Sequence, residues 1–429
     1  MPMSACHRRL AHHTCALRHS AAAATAVVTA PLPGDSAQWT SFATDAIDVP
    51  ASQIGQIGQD DPLRRLARGE IPAIILRNTL PESECARLLQ RCHSEGQLPP
   101  SFLPFLPCVD PNVTSMNATG VEPLMSTRMK DGGGGGKARP GHHNLRPSLA
   151  SSDARASRTD VGYSLGTGGN DPDTYWDKCS QVHRLYERLL EGVPSQYNAL
   201  KLMYGGLQTL GGGTKRVEVA HESDGRQYSP AIIRIHKPET GDGVGHTYVP
   251  HYDSVRRREQ RTGFEVFRYE TQLAGILVLQ APDRVAIPGA ETGSVYYDSI
   301  VYNFPATELP ARRLTQHTQL SLDVVTNGGP TSGMDVHPPA FRKFCEEHPV
   351  GRGTTELNVG DMYFFKTDNV HEAPGFGGSK ARAVFCTFIG YRLHLLASSC
   401  FFIQLAITPH SFLALLELDA ICHIPWVYF

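Results

Sequence analysis

The sequence predicts a mainly β protein with flanking helices, an α+β chain whose core is a sandwich or jelly roll. Three observations carry this. After about Tyr228, short β-branched and aromatic runs recur between Gly and Pro, at 231–236, 273–279, 294–297, 320–325, 362–365 and 383–389. Short strands at such intervals bury one face each and stack as two sheets. Before them, two segments have helical periodicity. The 429 residues include 40 Gly and 31 Pro while only 19% are charged, so long loops must join these elements. No internal repeat is visible.

The chain opens with a segment, 1–60, that is read as disordered or targeting. Residues 1–34 hold no Asp or Glu, and Arg8, Arg9 and Arg18 precede a small-residue run at 21–30. That composition suits an organelle transit peptide; a secretory signal and a plain disordered tail of a cytoplasmic protein are the alternatives. Structure is expected from about Ile71, in a helical support region spanning 61–224. Ile74-Ile75-Leu76 reads as a strand, and Pro81 opens a helix to about Ser94 with Cys85, Leu88, Leu89 and Cys92 on one side. A second helix is expected over 172–191, capped by Asp171, with Trp176, Val182, Leu185 and Leu189 as its buried stripe.

Between these helices lies a Gly/Arg-rich loop, expected to be disordered over about 128–170. Gly132 to Gly136 are consecutive, and seven Lys or Arg face two Asp over 128–158. The ten cysteines form no C-x-x-C pair and read as free thiols. A formal net charge of -2 argues against a whole-molecule nucleic-acid binder. Arg256, Arg257, Arg258 and Arg261 could still line an acidic-substrate mouth, although a solvated loop is the plainer reading.

One constellation carries chemistry. His251-Tyr252-Asp253 places an imidazole and a carboxylate at i and i+2, on one face of an extended segment. His93-Ser94-Glu95 repeats the pattern at a helix end, where the side chains diverge by about 200°, and is set aside. Gly360-Asp361 then begins a turn and the apolar strand 362–365, leading to His371 and to Arg382 at the start of the last strand. Two His and one carboxylate form the facial triad of non-haem Fe(II) sites, leaving positions for cosubstrate and dioxygen. Arg382 could clamp a carboxylate as a bidentate pair, with Lys380 or Arg392 as substitutes in another register.

On these residues the chain resembles the Fe(II)- and 2-oxoglutarate-dependent dioxygenases, most closely the prolyl 4-hydroxylase-like branch. The motif of that branch reads here as Tyr248-Val249-Pro250-His251-Tyr252-Asp253, Gly360-Asp361, His371 and Arg382. The resemblance spans about 231–391 and, more loosely, 74–92. It implies a double-stranded β-helix (jelly-roll) domain at 225–392, with Fe(2+) held by His251, Asp253 and His371. It further implies 2-oxoglutarate held by Arg382, O2 as cosubstrate, ascorbate as an accessory reductant, and C–H hydroxylation with release of succinate and CO2. Tyr248 and His236 are further cofactor-side candidates, with packing the alternative for both. The chain departs from relatives in carrying His236 where a tyrosine is frequent, and 276–280 lacks the tyrosine that assists the arginine.

The 117 residues between Asp253 and His371 exceed what a few strands need, so an insertion is expected at about 305–353, as a lid or substrate-side loop. The apolar tail 393–429 is interrupted by Pro409, His410, Glu417 and Asp419, which argues for packing on the core over a membrane anchor. The expected substrate is a peptidyl prolyl residue. A free amino acid or small metabolite is the alternative, and a catalytically silent jelly-roll binding protein the alternative from another class.

Overall fold

Alternation along short strands decides the architecture, because each strand offers one face to an interior and the other to a covering layer. The computed structural model describes residues 42, 44–113, 125–129, 156–165, 172–213, 215–239, 246–255, 261–285, 297–305, 334–335, 351–391 and 404–407. In chain order the strands are β1 (Ile47–Val49), β2 (Ala73–Leu76), β3 (Met125–Met129), β4 (Ala156–Gly162), β5 (Lys215–Glu218), β6 (Ile232–His236), β7 (His246–Tyr252), β8 (Thr271–Gln280), β9 (Ser299–Pro305), β10 (Met334–Asp335), β11 (Arg352–Thr355), β12 (Met362–Lys366), β13 (Asn369–Pro374), β14 (Arg382–Tyr391) and β15 (Gln404–Ile407). The α-helices are α1 (Pro62–Arg68), α2 (Glu82–Ser94), α3 (Pro172–Leu190) and α4 (Ala199–Leu210).

Among the described residues the larger sheet runs β1-β2-β12-β8-β14-β6-β4-β3, with β15 beside β14 and β5 beside β15; the smaller runs β10-β7-β13-β9-β11. From β6 onward the chain crosses repeatedly between them. β6, β8, β12 and β14 lie in the larger sheet and β7, β9, β11 and β13 in the smaller, which is the winding of a double-stranded β-helix.

Side-chain alternation on the larger sheet separates two apolar layers. Leu273, Leu277, Met362, Phe364, Phe385 and Ile389 face outward and are buried with Leu88, Leu89, Leu185 and Met203 of the helices. Ile75, Ala274, Val278, Tyr363 and Phe365 face inward and pack with Val301 of the smaller sheet. On α3 the buried residues Tyr175, Trp176, Cys179, Val182, Leu185, Tyr186 and Leu189 recur at three and four positions, so one stripe seats the helix. Gly275 lets α4 approach β8: a Cβ there would sit 2.7 Å from Met203 Sδ and 3.0 Å from Phe364.

The Gly360-Asp361 turn is a structural knot. Gly360 has φ +86°, and a Cβ on it would lie 1.9 Å from the Leu80 carbonyl oxygen, so only glycine fits. Asp361, 0% exposed, accepts from Arg77 Nη1 (2.7 Å), the Asn78 amide (2.9 Å) and the Asn358 amide (2.8 Å). Arg77 also pairs with Asp48 at 2.6 Å. One carboxylate thereby ties the ends of β1 and β2 to the start of β12.

Several expectations change. The region before residue 225 is not only helical, since β1 to β5 all come from it and join the larger sheet through cross-strand pairing. The loop expected at 128–170 contains most of β4, and Arg128 and Met129 end β3, because Val161 supplies an apolar side chain to the outer layer while Asp160 turns inward. Of the strand expected at 294–297 only Tyr297 is among the described residues; an unexpected strand lies at Ser299–Pro305, where Ile300 and Val301 are buried. Arg261 is buried and donates to the Leu165 carbonyl at 2.6 Å, so it belongs to the fold and not to a solvated mouth. Within the apolar tail, Gln404–Ile407 pairs as β15. Asp171, Arg256 to Arg258, Arg392, the strand 320–325, nearly all of the insertion at 305–353 and most of segment 1–60 lie outside the described residues. Cys85, Cys92, Cys108, Cys179 and Cys386 are free thiols. Among the described residues no helix is long and apolar enough to cross a membrane.

Removing the Asp361 carboxylate strands a partly buried arginine and two amides. Asp361→Ala is expected to lower stability by about 3–5 kcal/mol, read as a shift of the urea midpoint, whereas Asp48→Ala at the more exposed end of the network should have a smaller effect.

Candidate metal centre

β7 and β13 are antiparallel neighbours, and their register sets His371 directly opposite His251. The two ring centroids lie 4.3 Å apart, with the ring planes tilted by 53°. Asp253 follows β7 where the strand ends, and its amide donates to the Thr367 carbonyl (2.9 Å) at the turn before β13. The carboxylate is thus returned toward both rings. Asp253 Oδ2 lies 3.8 Å from His251 Nε2 and 4.0 Å from His371 Nε2. One ligand atom from each of the three residues lies within 4.8 Å of the others.

These separations suit a single ion. Imidazole and carboxylate ligands sit roughly 2.0–2.2 Å from a divalent metal, so two ligand atoms can be no more than about 4.4 Å apart, and 3.8 and 4.0 Å fall inside that limit. The tautomer also fits. His371 Nδ1 is 2.9 Å from the Asn369 carbonyl, which can only accept, so the proton sits on Nδ1 and the Nε2 lone pair points toward Asp253. Burial, followed by the neighbouring His251, pushes the His371 pKa down to about 3 against the pull of Asp253. The imidazole is therefore neutral, as a ligand must be. Phe365 packs edge-on against it, with ring centroids 4.8 Å apart.

The inward faces of the two sheets line a partly open cavity of about 70 Å³ beside these residues. Arg382 lines it from the first position of β14. The side chain is buried, at 5% exposure, and among the described residues no carboxylate pairs with it. Gln280 Nε2 donates to the carbonyls of Ala381 (2.7 Å) and Phe105 (3.0 Å), and the Ala381 amide donates to Phe105 O (2.9 Å). The residue before Arg382 is thereby held on two sides. Lys237 lies over the Phe102 ring at 4.3 Å, seating the 3₁₀ segment Pro100–Phe105 at this end.

His236 is buried on β6, directly across from Arg382, and lines the same cavity. Tyr248 lies on β7, paired with Ala373; its side chain is outside the described residues. Lys380 is instead on the surface, 3.5 Å from Asp283. His93 and Glu95 do not converge, as Glu95 pairs with Arg188 at 2.9 Å. The aromatic hydroxyl missing from 276–280 has a counterpart on β12. Tyr363 is fully buried, donates to Ser299 Oγ at 2.9 Å and lies within the field of Arg382, although burial dominates and raises its pKa. Neither Tyr363, Gln280 nor Arg234, which also lines the cavity, carries a linear motif.

No family model matches the chain, and no curated protein matches it. Among solved structures, the chain is similar to an N-substituted L-amino acid dioxygenase from Burkholderia ambifaria AMMD, at 13% identity over 56% of this chain and 84% of that one, with a TM-score of 0.28. It is also similar to the epimerase SnoN in complex with Fe3+, alpha ketoglutarate and nogalamycin RO, at 11% identity over 88% of this chain and 94% of that one, with a TM-score of 0.36. Scores and identities this low assign no activity.

Two outcomes follow from the geometry. Single changes His251→Ala, Asp253→Ala and His371→Ala should each abolish stoichiometric Mn(II) binding by calorimetry while leaving the circular dichroism spectrum intact. In the metal-free protein, His371 has a folded pKa of about 3 against 6.5, so between those values the unfolded chain takes up a proton that the folded chain refuses. His371 should therefore add a loss of stability as pH falls through that window, at most about 1.4 kcal/mol per pH unit. A wild-type minus His371→Leu comparison of urea midpoints between pH 7 and pH 4 measures it.

Proposed function

We propose that this protein is an Fe(II)- and 2-oxoglutarate-dependent dioxygenase that hydroxylates a C–H bond with release of succinate and CO2. The observation that carries the reading is Arg382: a buried guanidinium, with no carboxylate partner among the described residues, in the cavity that also receives His251, Asp253 and His371. A buried cation without an anion is strongly disfavoured, so its place is explained by a ligand that brings one. A ligand with a carboxylate for Arg382 and an oxygen pair for the metal is a short dicarboxylate with a keto group.

The residues divide the work. His251, His371 and Asp253 would hold Fe(II) on one side, as two neutral imidazoles and a single negative charge, leaving the cavity side open. When bound, the iron supplies oxidative decarboxylation of 2-oxoglutarate with O2, and ascorbate would keep it reduced. Arg382 would orient the distal carboxylate through a bidentate pair, its position held by Gln280 and the Phe105 carbonyl. Val384, Ile276 and Phe365 line the cavity with apolar surface and limit water there.

For the substrate, the order of motifs from Tyr248 to Arg382 supports a prolyl hydroxylase-like reaction on a protein or peptide. The alternative substrate is a free amino acid or small metabolite.

Succinate formed from 2-oxoglutarate under air with Fe(II) and ascorbate is the direct test. The wild type is expected to produce it, slowly even without substrate, and His371→Ala to produce none. Arg382→Met should raise the KM for 2-oxoglutarate roughly 30-fold or more, equivalent to losing about 2 kcal/mol of a buried charge pair. Absence of both Fe(II) binding and succinate in the wild type would leave the silent binding protein as the reading.

A further inference from the structure

Three small polar side chains, Ser299, Cys386 and Thr387, line the cavity with Arg382 and the metal ligands. Two of them have committed their protons to the fold: Thr387 Oγ1 donates to the Pro230 carbonyl (3.0 Å) and Cys386 Sγ to the Ile232 carbonyl (3.4 Å). Ser299 differs. It opens β9 on the smaller sheet and is 5% exposed. The backbone leading into it is tied toward β11, because the Asp298 amide donates to the Thr355 carbonyl (2.9 Å) and the buried Asp298 carboxylate accepts the Leu357 amide (2.7 Å).

Tyr363 crosses from the larger sheet to meet this serine. Its phenol donates to Ser299 Oγ at 2.9 Å, and among the described residues that is the one bond of the Ser299 hydroxyl. The ring is fixed: it is fully buried and stacked on Phe365, with centroids 4.9 Å apart, and Phe365 in turn packs against His371.

A hydroxyl offers one proton and accepts through two lone pairs, so two hydroxyls joined by one bond keep one proton unspent. Ser299 is the member of the pair that lines the cavity. A carboxylate only accepts, so an anion beside Ser299 sets the direction of the chain, from Tyr363 to Ser299 to the ligand, and each bond polarises the next. The anion is drawn there by Arg382, which lines the same cavity and whose field reaches the Tyr363 phenol, although burial dominates the pKa of that group. We propose that Ser299 is a cosubstrate-binding residue, donating its hydroxyl to the carboxylate that Arg382 holds, and that Tyr363 is its positioning residue. This rests on the dioxygenase reading above and deepens it.

The test measures 2-oxoglutarate binding by calorimetry to the full chain loaded with Mn(II), together with the unfolding midpoint of each variant without ligand. Ser299→Ala should weaken binding roughly tenfold or more, the range of a hydrogen bond to a charged group, while Ser299→Thr, which keeps the hydroxyl, should stay within about threefold of wild type. Tyr363→Phe should weaken binding by a smaller factor, and should add little once Ser299 is alanine, because it acts through the serine. 2-Oxobutanoate, which lacks the distal carboxylate, should bind wild type and Ser299→Ala equally weakly. The proposal is overturned if Ser299→Ala lowers the unfolding midpoint yet binds 2-oxoglutarate as wild type does, which would make the pair a structural bond between the sheets. It is also overturned if Ser299→Ala weakens 2-oxobutanoate as much as 2-oxoglutarate, which would place the serine at the metal end. Should Ser299→Ala not fold, Tyr363→Phe decides, and unchanged 2-oxoglutarate affinity in that variant overturns the proposal. Failure of the dioxygenase reading appears separately, as wild-type protein with Mn(II) that binds no 2-oxoglutarate, and overturns both.

Discussion

The pairing of β7 with β13 is the constraint on which the site depends. A strand repeats every two residues, so a slip of one position would carry His251 or His371 to the opposite face and leave no ligand set. Contacts outside the pair resist that slip. The Asp253 amide is bonded to Thr367 O, and Thr367 in turn donates through both its amide and its hydroxyl to Gln272 O on β8. Gln272 answers with its own amide to Asp368 and accepts from the Val255 amide. The end of β7, the β12–β13 turn and the start of β8 are therefore one hydrogen-bonded unit, and the two imidazoles are aligned by bonds that belong to both sheets.

The cavity is electrically asymmetric for the same topological reason. The smaller sheet contributes the neutral His371, with His251 opposite it and Asp253 at the end of β7, while the larger sheet contributes Arg382 and Arg234. A divalent ion would add positive charge on the first side and leave both walls cationic. The helices take no direct part; by covering the outer face of the larger sheet they allow its inner face to be polar.

Features set by local spacing were legible in the sequence. The stripe Trp176, Val182, Leu185 and Leu189 follows helical periodicity, and the structure buries all four. His251 and Asp253 declare themselves by alternation, and Gly360 by a turn that no other residue can make. What escaped depends on distant partners. β4 and the end of β3 read as loop because their neighbours are a Gly-rich run, and only pairing with β6 makes β4 a strand. β9 at Ser299–Pro305 likewise becomes a strand by pairing with β11 and β13. Arg234 looks like an ordinary polar residue in a strand of isoleucines until Asp160 is placed across from it.

The knot at Asp361 and the cluster at Asp160 show opposite uses of a buried carboxylate. Asp361 accepts two backbone amides and one arginine, all from chain segments it must join, so its bonds are fully spent on the fold. Asp160 is approached by two arginines, Arg158 of its own strand and Arg234 of β6. The first arrangement stabilises a turn wherever it occurs. The second holds a cation at a wall of the cavity, against the tendency of a long side chain to leave a desolvated site for water. Removing Asp160 would leave Arg158 and Arg234 without the buried carboxylate that both approach.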